Sequence, residues 1–112
     1  MKRAFLGELE EVVLLTAAAL QEQAYCASIT QAIDQQMARP ISFPTVHTTL
    51  QRLEEKGLVT SLMGGATAER GGRRKRIFTV TTAGQRALIE CQQVRRQLWE
   101  QIPTQVLQLW NV

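Results

Sequence analysis

A chain of 112 residues can bury one hydrophobic core and is too short for two, so one domain with an appended segment is expected. Its 45% hydrophobic and 21% charged residues exclude a disordered chain. A net charge of +3 does not by itself name a nucleic acid as partner, and the longest apolar stretch, Val12 to Leu20, is too short to cross a bilayer.

The start, Met1-Lys2-Arg3-Ala4-Phe5-Leu6, has the charge pattern of a secretory signal, but Gly7-Glu8-Leu9-Glu10-Glu11 puts carboxylates where an apolar segment would be needed. A cytoplasmic location is the expectation. Leu6, Leu9, Val13, Ala17 and Leu20 recur at helical spacing, and Val12, Leu14 and Leu15 widen the stripe until much of this first helix needs covering. Ala24 to Met37 repeats the pattern through Ile29, Ala32, Ile33 and Met37, and Arg39-Pro40 ends it, because a residue before proline resists the helical region.

A third helix spans Ser42 to Lys56. Ser42 is a good N-cap, Pro44 falls in the first turn where its missing donor costs little, Val46, Leu50 and Leu53 mark the buried face, and Gly57 is the stop. Leu58 to Met63 and Ile77 to Val80 then read as two strands of a hairpin around the tip Glu69-Arg70-Gly71-Gly72-Arg73-Arg74-Lys75-Arg76. Five of the thirteen Lys and Arg lie between Arg70 and Arg76.

Thr81 or Thr82 can cap a last helix running to about Gln101, where Pro103 interrupts it. Ala87, Cys91, Val94, Leu98 and Ile102 follow the alternating steps of a narrow helix-pairing seam, broadened by Leu88 and Trp99. A helix this long has little of its own chain to pack on, so these seven residues are assigned to a homodimer interface. The segment Val106 to Trp110 is read either as a small extra helix against the dimer or as a loose tail. The fold class is α+β, mainly α: a winged helix-turn-helix over residues 1–81, followed by a C-terminal dimerisation helix and tail over residues 82–112.

With Val46, Leu50 and Leu53 inward, Thr45, Thr48, Gln51, Arg52 and Glu55 point outward and His47 lies on the flank. Such a face alone is most often only solvated. Set between a capped start and a hairpin with a cationic tip, it becomes a candidate for reading double-stranded DNA. The recognition-helix candidates are Ser42, Thr45, His47, Thr48, Gln51 and Arg52, with Arg70, Arg73, Arg74 and Lys75 gripping phosphates from the wing. His47 is the single histidine, and Cys26 and Cys91 lack metal-ligand spacing, so no metal, no cofactor and no catalytic centre is expected, and the default for both thiols is reduced and packed.

Leu6-Gly7-Glu8-Leu9-Glu10, Ala24-Tyr25, the run Thr48 to Val59, Glu69 to Arg74 and Thr81-Thr82-Ala83-Gly84 together resemble the PadR family of bacterial transcriptional regulators, over roughly residues 6 to 100. The resemblance implies a homodimer built on the last helix, with the third helix reading a two-fold symmetric operator and the wing touching its backbone. It further implies repression, with release by small aromatic or cationic compounds in some members. A single C-terminal helix is similar to the short subgroup. His47 stands where the family usually has Tyr, and Cys26 where it usually has Gly, which means that the turn before the second helix does without a positive φ here.

Trp99 with Leu88, Val94 and Leu98 either forms interface core or lines a space in which a flat apolar effector stacks; packing is the commoner role for a tryptophan at this spacing. Cys91 facing its symmetry mate would make the dimer redox-sensitive. The competing function is a protein-interaction module that uses the basic loop to dock an acidic partner.

Overall fold

Capping chemistry sets the boundaries of the helices. The computed structural model describes residues 6–64 and 75–111, the last four of these by backbone alone. Helix α1, Glu8–Leu20, begins only after Gly7, whose backbone is extended and whose N–H donates to the Glu10 carboxylate at 2.8 Å. Glu8, Glu10 and Glu11 in the first turn complement the helix dipole. A 3₁₀ turn, Gln21–Gln23, follows.

Helix α2, Cys26–Gln36, is shorter than the predicted span from Ala24 to Met37. The reason is a competing pairing. Tyr25 is extended and bridges Ile77, and the Phe78 N–H donates to the Ala24 carbonyl at 2.8 Å, so this stretch serves as a short third strand beside the hairpin. Cys26 is the first helical residue and has no positive φ, but the connection from α1 to α2 does contain one, at Gln21 (φ 53), so the expectation that this turn does without it fails at its first residue.

Helix α3, Phe43–Glu55, is capped by Ser42, whose Oγ accepts the Thr45 N–H at 3.3 Å. Asp34 accepts the Ile41 N–H at 2.8 Å and fastens the connection from α2. The buried face is Val46, Thr49, Leu50 and Leu53, and Thr49 is accommodated because its hydroxyl donates to the Thr45 carbonyl at 2.8 Å. The helix stops in a Schellman turn: Gly57 takes φ +76, its N–H donates to Glu54 and the Leu58 N–H donates to Leu53 at 2.9 Å.

Strands β1, Val59–Met63, and β2, Arg76–Val80, pair antiparallel with Val59 opposite Val80 and Met63 opposite Arg76. Thr81 then joins three elements. Its N–H donates to Leu58, its hydroxyl donates to the Gly57 carbonyl at 2.7 Å, and its Oγ accepts the Gly84 N–H at 3.0 Å as the cap of α4, Thr82–Glu100. A 3₁₀ segment, Thr104–Asn111, kinked at Leu107, follows Pro103; the chain after the proline is thus the short extra helix of the two alternatives.

The core lies where α1, α2 and α3 meet the hairpin, with Leu14, Ile29, Ile33, Leu50 and Leu53 fully buried. Only the first half of α4 touches it. Gln92 to Glu100 are exposed throughout, and the subunit is elongated, 57 × 39 × 20 Å. Two ion pairs brace α1 against later elements: Lys56 Nζ with Glu10 at 2.8 Å, and Arg95 Nε with both Glu11 oxygens at 3.2 Å.

Gly84 is buried, and a Cβ placed on it would lie 2.2 Å from the Leu58 carbonyl oxygen, a backbone atom that cannot swing aside. Gly84→Ala should therefore destabilise the fold by about 1–3 kcal/mol, read from denaturant unfolding. Burial works against the charged Glu10 carboxylate, but the Lys56 ammonium and the Gly7 N–H together outweigh it and hold the group below the ordinary carboxylate range. A depressed folded-state pKa contributes stability above the unfolded value and loses it as pH falls through the folded value. Glu10→Gln should flatten that acid limb and cost less than about 1 kcal/mol at neutral pH, because one partner is exposed.

Candidate nucleic-acid interface

The inward face of α3 leaves the opposite face to solvent, and Ser42, Thr45, His47, Thr48, Gln51 and Arg52 are all exposed. They are not equally free. The Ser42 and Thr45 hydroxyls sit 2.7 Å apart, and Ser42 also accepts the Thr45 N–H, so both are engaged in the helix cap. Thr48, Gln51 and Glu55 run along the midline of the face. Arg52 lies on the side toward α1, near enough to Glu10 to help keep that carboxylate ionised.

The opposite flank of α3 meets the hairpin. Arg76 donates from Nη1 to Ser61 Oγ at 2.9 Å, and Ser61 donates to Glu54 at 2.7 Å, so a short polar chain ties both strands to α3. Lys75 holds its ammonium 3.9 Å from the centre of the Tyr25 ring, a cation–π contact at the base of the wing. Arg70, Arg73 and Arg74 lie outside the described residues.

Between this flank and the wing base is a recess of about 320 Å³ lined by Tyr25, Cys26, Ala27, Phe43, His47, Lys75, Arg76 and Phe78. The first turns of α2 and α3 converge on it, joined by a weak contact from Cys26 Sγ to the Phe43 carbonyl at 3.8 Å. Burial pushes the Cys26 thiol up, so the sulfur is a protonated, packed atom rather than a thiolate. Tyr25, Phe43 and Arg76 are members of this surface that the sequence reading did not assign. Phe43 carried the available signal, being an aromatic residue at the edge of the buried stripe, one turn before Val46 and two before Leu50.

The predicted pairing seam divides. Ala87, assigned to the interface between subunits, is 2% exposed in its own subunit's core and is removed from that list, since the first turns of α4 pack on the domain. Leu88 and Cys91 are half-buried against the same core, with Cys91 pushed up by burial and then by Glu11. Val94, Leu98 and Trp99 are 42, 57 and 53% exposed, and Ile102 is half-buried. With Leu15 on α1 and Ile89, they form an apolar strip that is exposed among the described residues. A groove of about 430 Å³ runs along it, walled by Leu15, Leu88, Ile89 and Trp99 and edged by Glu11 and Arg95.

Among the described residues no three His, Cys, Asp or Glu side chains gather as a metal site, and no helix is long and apolar enough to cross a membrane.

A three-helix core, an exposed polar third helix, an adjoining two-stranded wing and a long trailing helix together define a winged helix-turn-helix regulator. More narrowly, residues 14–90 match the transcriptional regulator PadR-like family, and the chain belongs to that family, a group of regulators rather than enzymes. No curated protein matches the sequence. A PadR-like transcriptional regulator from Bacillus cereus superposes with a TM-score of 0.71 at 19% identity, over 89% of this chain and 91% of that one. A PadR family transcriptional regulator from Eggerthella lenta gives 0.65 at 25% identity, over 83% and 80%. Bacillus subtilis PadR, solved in complex with operator DNA, gives 0.59 at 16% identity, over 74% of this chain and 45% of that one.

Proposed function

We propose that the protein binds double-stranded DNA as a homodimer, reads a two-fold symmetric operator with α3, grips the backbone with its wing and represses transcription. The observation that carries this is the exposed face of α3, polar along its midline and continuous with a wing base bearing Lys75 and Arg76. In sequence, Arg70, Arg73 and Arg74 precede Lys75 in the connection between the two strands. The fold shared with Bacillus subtilis PadR, which is known bound to operator DNA, supports the same reading. Docking of an acidic protein is the weaker alternative, because Phe43 is the one large apolar side chain exposed on α3.

Dimerisation uses the strip that the subunit leaves open: Val94, Leu98, Trp99 and Ile102, with Leu88 and Cys91 at its edge. Pairing of two such strips would place the Leu15–Trp99 groove beside the two-fold axis. A flat aromatic or cationic effector seated there would act by changing how the α4 helices cross, and release of the operator would follow.

The direct test is binding to duplex fragments of the chain's own upstream region and to scrambled duplexes at two salt concentrations. Native fragments should be preferred by about 10³-fold or more. Arg73→Ala with Arg74→Ala should weaken binding to every sequence alike and lower the salt slope by about two. Thr48→Ala or Arg52→Ala should instead cost about 1–3 kcal/mol on the native site and little on scrambled DNA. Equal, weak binding of all duplexes by the unmodified protein would refute sequence reading. Leu98→Glu should yield monomers in sedimentation while leaving the helical signal of the domain intact; a dimer that survives the change would place the interface elsewhere.

A further inference from the structure

Phe43 presents an aromatic ring, 51% exposed, at the first position of α3, on a surface otherwise made of hydroxyls, amides and charges. The core does not claim it: the buried arc of the helix is Val46, Thr49, Leu50 and Leu53. It does not stand alone in solvent either. It forms one wall of the 320 Å³ recess, with Tyr25 and the edge of Phe78 as further apolar surface, His47 one turn along and the Lys75 and Arg76 cations at the wing side. Lys75 is positioned over Tyr25, which keeps a positive charge directly beside apolar surface.

We propose that this recess seats one strand of the operator and that Phe43 reads the C5-methyl group of a thymine. The proposal rests on the DNA-binding reading above. Two properties of the recess select this occupant. Its cations favour an anion, and its exposed aromatic wall favours an apolar group beside that anion. A DNA strand offers both, a phosphate for Lys75 and a thymine methyl for Phe43. In the major groove that methyl is the only apolar group that a base edge presents, and aromatic contact with it is a direct form of readout. Thr48, on the midline of the same helix, is placed to read the adjoining step by its hydroxyl. Phe43 is then a specificity-determining residue, and the half-site carries a thymine at the step beneath the α3 N-terminus.

The experiment uses the full chain and a duplex it binds, with deoxyuridine replacing each thymine in turn, a change that deletes the methyl group and leaves base pairing intact. At one thymine per half-site the affinity should fall about 3- to 5-fold, the effect of one buried methyl. Phe43→Ala should bind thymine and uracil duplexes equally, and Phe43→Leu, which keeps apolar surface, should retain part of the difference. Phe43 is half exposed, so these variants leave the core untouched, and far-ultraviolet circular dichroism checks this. Indifference of the unmodified protein to every thymine-to-uracil change, or a difference that survives Phe43→Ala, overturns the proposal while leaving operator binding in place. Failure to prefer any duplex would instead overturn the DNA-binding reading. Benzoate as a competitor separates the remaining occupant: displacement of DNA by benzoate that disappears in Lys75→Ala and Phe43→Ala would make the recess a small-anion site and count against the thymine assignment.

Discussion

The geometry of the molecule depends on the junction at Gly57, Leu58, Thr81 and Gly84. One hydroxyl, that of Thr81, donates to the end of α3 and caps the start of α4, while its own N–H holds the first residue before β1. Gly84 lets the first turn of α4 approach the Leu58 carbonyl closer than any side chain allows. The exit of α3, the root of the wing and the direction of α4 are therefore fixed in one place. The Lys56–Glu10 and Arg95–Glu11 pairs add a second tether, both reaching α1 from elements on either side of the junction.

From that junction outward the surface sorts itself by what the chain can cover. The three-helix core and the root of the hairpin bury most of their apolar residues, while Leu62 and Met63 toward the wing end of β1 stay exposed, and among the described residues no buried side-chain polar atom lacks a hydrogen-bond partner. Two of the apolar features that the described residues leave open matter here. One is the strip from Leu15 and Ile89 to Trp99, extended and aliphatic, with the character of a protein interface. The other is the Phe43 recess, smaller, with Lys75 and Arg76 on its wing side, the character proposed above for a nucleic-acid contact.

The course of α3 was legible because each of its signals is local: a serine cap, a proline in the first turn, a period of hydrophobic residues and a glycine stop all agree. The last helix was legible in extent but not in partner. Periodicity shows that Ala87 is buried and cannot say whether the burial is against its own domain or a second subunit; here the domain takes Ala87 and half of Leu88 and Cys91. The start of α2 was misplaced by two residues for a related reason, because pairing of Ala24 and Tyr25 with β2 is a contact across more than fifty positions of sequence and overrides local helical preference. The recess was not legible at all, since it forms only where the first turns of α2 and α3 meet the wing base.

In the proposed dimer, α4 would act as a lever arm. Nineteen residues make a rod of about 28 Å at 1.5 Å per residue, rooted in the same junction that carries α3. In a dimer paired along that rod, a change of about 10° in how the two helices cross would carry each domain through about 5 Å, more than the 3.4 Å between successive base pairs. If the proposed dimer forms along α4, half-site spacing on its operator would be a ruler for the crossing angle of the two helices.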